Sequence, residues 1–69
     1  MTRVNIQING ETRRLPDSMS LRDIIKLLEL KEDRVAVELN REIVKRHHWA
    51  ETQLHEGDRM EIVHFIGGG

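Results

Sequence analysis

Hydrophobic and polar residues alternate strictly at the start of the chain, and this alternation predicts a β-hairpin. The apolar residues of RVNIQI, residues 3–8, share one face: Val4, Ile6 and Ile8. A period of two is typical of a half-buried strand. Asn9 and Gly10 follow directly and form the strongest short signal for a two-residue type I′ turn. The polar segment 11–15 is then predicted to be an edge strand that ends at Pro16.

The pattern changes to a helical period in DSMSLRDIIKLLEL, residues 17–30. Four apolar residues at spacings of i, i+3, i+4 and i+7 form one stripe: Leu21, Ile24, Ile25 and Leu28. Ser20 is the predicted N-cap, with Asp23 as the third-position partner of a shortened capping box. We therefore expect a helix that begins after Ser20 and packs its stripe on the inner face of a sheet.

Shorter elements follow the helix. Residues 34–40 alternate again, and Asn40-Arg41 is predicted to be a tight turn into a short strand at 42–44. Residues 45–54 lack a clean period and are predicted to form a turn or a short 3₁₀ piece. Two apolar residues anchor that piece: Trp49 and Leu54.

The last strand is predicted at residues 59–66, after a turn at 56–58. Since the first and last strands are the most apolar, we expect them to be parallel neighbours in the centre of the sheet. Strands around a single helix indicate the α+β class. The predicted architecture is a β-grasp, a mixed sheet of four or five strands on one main helix. It comprises one domain, residues 1–66, and a flexible glycine tail, residues 67–69.

The last strand also carries apolar residues on both of its faces. Met60 and Ile62 are expected to face the helix, which leaves Val63 and Phe65 toward solvent, with Ile66 near the tip. One interpretation is the ordinary exposed apolar surface that every small domain keeps. The other is a partner-docking patch, because aromatic anchors are enriched at interfaces. The sequence leaves both open.

Composition excludes several function classes. A chain of 69 residues buries only about 60% of its unfolded surface, which leaves no room for a deep catalytic cleft. Eleven basic and twelve acidic residues give no support to a nucleic-acid partner or an anionic membrane. The sequence has no cysteine, so a disulfide framework or thiolate metal site is impossible. No apolar run approaches a membrane span of about 20 residues, and the cytoplasm is the default location.

The four histidines do not form a recognised metal-ligand pattern. Neither cysteine nor a closely spaced carboxylate completes such a set. We expect His47 and His48 to point to opposite faces and not to converge, as neighbours in a strand do. The sequence also lacks a GxSxG motif, a P-loop and a cysteine nucleophile, so we do not expect a free-standing enzyme, and we expect no bound metal.

Three glycines end the chain: Gly67, Gly68 and Gly69. They could be a frayed end, since glycine orders unwillingly and termini fray. Alternatively, they could be a thin arm that threads a narrow channel and presents the α-carboxylate of Gly69 for activation. The abrupt change from an apolar strand to bare glycine favours the arm.

Taken together, these segments resemble the ubiquitin-like sulfur carriers, and most of all the ThiS family of thiamine biosynthesis. The resemblance spans essentially the whole chain, including the Asn9-Gly10 turn and the run VAVELNREIV. The EGD turn before the final strand and the ending HFIGGG are its most specific parts. Some relatives end in two glycines after a different residue, so Gly67 lengthens the arm here.

The resemblance implies a mechanism and a set of partners. An adenylating enzyme related to ubiquitin-activating enzymes (ThiF-like) would use ATP and Mg²⁺ to convert the Gly69 carboxylate to an acyl-adenylate. A persulfide, derived from cysteine by a desulfurase or another donor, would displace AMP and leave a terminal thiocarboxylate. A thiazole synthase (ThiG-like) would accept that sulfur. Gly67 and Gly68 would thread the partner's active site, while Val63, Phe65 and Ile66 dock. The chain itself would be a recycled co-substrate with no bound cofactor.

Several alternatives share these features. The small subunit of molybdopterin synthase uses the same terminal thiocarboxylate, although its relatives are usually longer. A carrier for tRNA thiolation is also possible. A ubiquitin-like protein modifier would be activated in the same way but joined to lysine amines. The remaining alternative is a plain interaction module with a frayed tail.

Overall fold

The computed structural model describes residues 2–65. Within that range the chain forms one α-helix and a five-stranded sheet, with these elements in order: β1 Arg3–Ile8, β2 Glu11–Pro16, α1 Leu21–Leu27, β3 Val35–Leu39, β4 Glu42–Ile43 and β5 Arg59–His64. The strand order is β2-β1-β5-β3-β4. Strand β5 runs parallel to β1 and antiparallel to β3. The predicted α+β class and β-grasp arrangement are confirmed, including the edge position of β2.

Two tight turns join the hairpin strands, and both have positive φ at their central residues. Asn9 and Gly10 have φ of 51° and 81°, and Asn40 and Arg41 have φ of 52° and 71°. Positive φ at both central positions is the type I′ geometry, which matches the right-handed twist of the strands. Glycine reaches this region at no steric cost, but Arg41 does not. The two predicted turns are therefore confirmed.

The predicted capping box sets the start of α1. The Ser20 hydroxyl accepts a hydrogen bond from Asp23 N at 3.1 Å, and Ser20 N donates to the Asp23 carboxylate at 3.0 Å. The hydrogen bond from the Ser20 backbone N–H to this carboxylate, and after it the interaction of the carboxylate with the Ser20 side chain, hold the pKa of the Asp23 carboxyl below its ordinary value. The helix ends at Leu27, earlier than the apolar stripe suggested, because Glu29 turns the chain with φ of 58°.

One hydrophobic core lies between α1 and the inner face of the sheet. Its largest fully buried side chains come from β1, α1, β3, β5 and the segment between β4 and β5: Trp49, Ile6, Leu21, Ile24, Ile25, Leu54, Met60 and Val37. Trp49 lies in a 3₁₀ helix, Arg46–Glu51, and its indole N–H donates to the carbonyl of Val44 at 2.8 Å. The predicted anchoring by Trp49 and Leu54 is therefore confirmed.

Candidate functional site

Strand β5 occupies the centre of the sheet and leads directly into the C-terminal segment. On one side it pairs with the end of β1, Gln7 with Arg59 and Ile8 with Met60. On the other side it pairs with β3 along five residues, from Leu39 opposite Met60 to Val35 opposite His64. The C-terminal segment is thus attached to the strand that both halves of the sheet hold.

The side chain of Asn9 extends the shorter of these two ladders. Strand β1 ends at Ile8, and Asn9 N makes a last backbone bond to the carbonyl of Met60 at 2.9 Å. Beyond it, the Asn9 side chain accepts from Ile62 N at 2.7 Å and donates to Ile62 O at 3.2 Å. An amide has one acceptor and two donors, so it imitates the peptide group of a neighbouring strand. Asn9 therefore fixes β5 two residues beyond its last pairing with β1.

The second turn holds the beginning of β5 in a similar way. Asn40 N donates to Arg59 O at 2.8 Å, and the Asn40 side-chain oxygen accepts from Arg59 N at 3.0 Å. The amide nitrogen of the same side chain donates to the Asp58 carboxylate at 3.0 Å. Each asparagine thus lies in a turn and binds the central strand or the residue just before it. We call Asn9 and Asn40 the asparagine clamps.

Four apolar side chains lie together on the outer face of the sheet, away from the helix. We define this outer patch as Ala36, Ile43, Val63 and Phe65. Ile43 is 75% exposed, Val63 59% and Phe65 58%, and Ala36 lies opposite Val63 in the register. Phe65 N donates to the carbonyl of Arg34 at 2.9 Å, which continues the β3 ladder past the end of β5. The predicted exposure of Val63 and Phe65 is confirmed.

A shallow groove of about 190 Å³ runs beside the outer patch, lined by Ala36, Val37, Glu38, Ile43, Glu61 and Val63. Glu38 pairs with Glu61 on β5 and with Ile43 on β4. The two glutamates therefore face each other on the same surface as the apolar residues. Sequence reasoning missed Ile43 and Glu38. The alternation in β3 could have placed Glu38 on the outer face, but its partners depend on a register that the sequence does not specify.

The histidines required one correction. His47 and His48 do not point apart, because they lie in a 3₁₀ helix and not in a strand, and their ring centroids are 4.1 Å apart. His48 Nδ1 also lies 2.6 Å from a carboxylate oxygen of Glu51. Residues 2–65 contain no group of three or more histidine, aspartate or glutamate side chains that could hold a metal ion.

Some predicted features lie outside the described residues. These are the docking role of Ile66 and the tail of Gly67, Gly68 and Gly69. Within the described range, the only α-helix is too short to cross a membrane.

The sequence matches the model of the ThiS family over residues 6–69, a range that includes the three final glycines. The chain belongs to the ThiS family. It is 35% identical over 65 residues to the sulfur carrier protein ThiS of Bacillus subtilis, with 93% of this chain and 98% of that protein covered. The resemblance inferred from the sequence is therefore confirmed.

A solved relative shows the same fold for a ThiS protein. The crystal structure of the thiamine biosynthesis protein ThiS from Geobacter metallireducens superposes with a TM-score of 0.83 at 29% identity, covering 96% of this chain and 100% of that one. The β-grasp sheet and its single main helix are thus shared with a ThiS family member of known structure.

A longer relative places a ThiS-like region within a larger protein. A thiazole synthase of Paramagnetospirillum magneticum is 41% identical over 66 residues, which cover 96% of this chain but only 20% of that protein. The chain therefore spans about a fifth of this relative's length. In that organism, the ThiS-like region and the rest of a thiazole synthase form one polypeptide.

Proposed function

We propose that this protein is the sulfur carrier for thiazole formation in thiamine biosynthesis and that the carboxylate of Gly69 carries the sulfur. The observation that supports this most is the ThiS family match, which runs through the glycine residues. The position of the C-terminal segment, directly after the central strand, agrees with it. A glycine arm has no side chains, so it can enter a narrow channel in a partner while the folded domain stays outside.

The proposed chemistry takes place in the active sites of two partners. A carboxylate oxygen of Gly69 attacks the α-phosphorus of ATP in an adenylating enzyme, and pyrophosphate leaves. A persulfide then attacks the acyl carbon and AMP leaves. A second thiol attacks the donor's sulfur in the resulting acyl disulfide, forms a disulfide with the donor and loses its proton, and the thiocarboxylate leaves on Gly69. ATP and Mg²⁺ belong to the adenylating enzyme, and this chain acts in the cytoplasm as a co-substrate and not as a catalyst.

Thiazole synthase is the proposed acceptor of the sulfur. The relative from Paramagnetospirillum magneticum supports this partner, because a ThiS-like region there belongs to a chain named thiazole synthase. The outer patch supplies a contact surface next to the arm. Its three large side chains are each more than half exposed: Ile43, Val63 and Phe65. Most of their apolar surface is therefore left free for contact with a partner.

Intact-mass analysis tests the carrier chemistry. The protein is incubated with its cognate adenylating enzyme, ATP and a persulfide source, and we expect one oxygen to be replaced by sulfur. A variant without Gly69 should show no such replacement, because its terminal carboxylate is then on Gly68, one residue short of the position that the adenylating enzyme requires. If the complete protein also keeps its mass beside an adenylating enzyme shown to be active, the carrier proposal is wrong. Higher-mass conjugates on a denaturing gel would instead indicate a protein modifier.

A genetic test separates the thiamine pathway from its rivals. Deletion of the gene should cause a thiamine requirement that the thiazole alone relieves. A requirement relieved only by molybdopterin, or a loss of thiolated tRNA without any thiamine requirement, would assign the carrier to another pathway.

The docking role of the outer patch is tested with a matched pair of variants. Phe65→Asp places a charge in the patch, and Leu27→Asp places one at a similarly exposed side chain, 54% against 58%, on the helix. Both variants should fold, but only Phe65→Asp should weaken binding to the adenylating enzyme. If the two variants bind the adenylating enzyme equally well, the outer patch is not part of the docking surface.

A further inference from the structure

Two glutamates face each other on the outer face of the sheet, directly next to Ala36, Val63 and Ile43 of the outer patch. Glu38 on β3 and Glu61 on β5 are direct partners in the antiparallel register, and the next pair on the same face is Ala36 with Val63. Ile43 flanks Glu38 on its other side. The acidic pair therefore lines the same groove as four apolar residues.

The fold does not account for this arrangement. Like charges directly opposite each other on neighbouring strands destabilise a sheet. Within residues 2–65, neither glutamate has an ion pair or a side-chain hydrogen bond that would offset the repulsion. Arg59 shares the outer face two residues along β5 from Glu61, yet no ion pair joins them in that part of the chain. We therefore expect the pair to lower the stability of the isolated domain.

A cationic side chain from outside would turn this repulsion into attraction. An arginine guanidinium has five donors and remains charged in proteins, so one group can bind both carboxylates at once. Hydrogen bonds between ionised groups are the stronger class. The surrounding apolar side chains would exclude water from the contact, which strengthens it further.

We propose that thiazole synthase docks on the outer patch with apolar side chains against Val63 and Ile43 and a cationic side chain, arginine or lysine, between Glu38 and Glu61. This inference rests on the proposed function, because it names the chemistry of the surface that a proposed partner presents. The charge of the groove argues against a second copy of the chain, which would bring two more glutamates to the same place. The relative in which the matching region belongs to a chain named thiazole synthase supports thiazole synthase as the occupant.

The proposal requires opposite effects on stability and on binding. Glu61→Gln and Glu38→Gln each remove one of two repelling charges with almost no change in shape. Each variant should melt at the same temperature as the wild type or higher. Each should bind thiazole synthase more weakly by about ten-fold or more, the range for losing a hydrogen bond between charged groups. Raising the salt concentration should weaken the wild type more than either variant.

Calorimetric titration of purified cognate thiazole synthase with each variant tests these expectations. Glu29→Gln is the matched control, because it removes an equal charge from an exposed position two residues after α1, and it should bind like the wild type. A loss as large in Glu29→Gln as in the patch variants would show an effect of net charge and overturn the proposal. Unchanged affinity in Glu38→Gln and Glu61→Gln would also overturn it.

The failure of this inference can be told apart from the failure of the proposed function. If Phe65→Asp abolishes binding to thiazole synthase while both glutamine variants bind normally, the partner is correct and the acidic pair plays no part. If the wild type does not bind thiazole synthase at all, both the partner and the proposed contact are wrong.

Discussion

Replacing Asn9 with glycine isolates the contribution of one asparagine clamp. Glycine adopts the positive φ of this turn position without strain, and Gly-Gly is an accepted type I′ pair. The variant therefore keeps the turn and removes only the side chain that bonds Ile62. Those two bonds measure 2.7 and 3.2 Å and lie in a partly buried position.

The expected loss of stability follows from these contacts. Each hydrogen bond contributes about 0.5–1.5 kcal/mol net, and the freedom of an extra glycine in the unfolded chain adds roughly 0.5–1 kcal/mol. The sum is about 1.5–4 kcal/mol. A domain of this size has a stability of roughly 3–10 kcal/mol in total, and its Tm should fall by at least about 6 °C.

Urea denaturation followed by the fluorescence of Trp49 measures this loss, and amide hydrogen exchange locates it. The Ile62 N–H should lose more protection than amides in β3. Asn9→Asp is the matched variant, since its carboxylate still accepts from Ile62 N but cannot donate to Ile62 O, so its stability should lie between the other two. An unchanged urea midpoint together with unchanged exchange at Ile62 in Asn9→Gly would refute the clamp.

Three other predictions concern the folded domain. Asp23→Ala should cost about 0.5–1 kcal/mol at pH 7 through loss of the capping box, measured by urea denaturation. Because the folded pKa of Asp23 is lowered, this contribution should persist at neutral pH and vanish as the pH falls below about 4; a pH-independent difference would contradict it. Trp49→Phe leaves the carbonyl of Val44 without its 2.8 Å partner and should cost about 1–3 kcal/mol, measured by urea denaturation followed by circular dichroism because the variant lacks the only tryptophan. Gly57→Ala meets no atom within 4 Å but has φ of +84°, so calorimetry should show a loss of about 1–2 kcal/mol from backbone strain alone; a neutral effect would show that the turn relaxes.

Local rules of pattern and turn chemistry were sufficient to predict most of the fold. Alternation in residues 3–8 and 34–40 was enough to predict two strands and which face of each strand is buried. Asn9-Gly10 gave the first turn, and Ser20 gave the helix start. The end of α1 was less predictable, because Leu28 continues the apolar stripe although the chain has already left the helix. Periodicity reports which face is buried, and it does not report where backbone hydrogen bonding stops.

The candidate site was predictable only where it depends on one strand. Alternation along β5 was enough to predict that the side chains of Val63 and Phe65 are exposed. The Glu38–Glu61 pair and the asparagine clamps depend on contacts between residues 18 to 53 positions apart in sequence, which pattern alone cannot align. The histidine prediction failed for a related reason, since it assumed strand geometry in a segment that lacks a strand period.

The placement of β5 also determines how the domain bears mechanical load. A force applied between Thr2 and Phe65 would pull the parallel strands β1 and β5 past each other in shear, so that several hydrogen bonds must break together. An antiparallel hairpin pulled from its open end would instead unzip one bond at a time. We therefore expect the folded domain to resist mechanical unfolding when an enzyme pulls on its C-terminal segment.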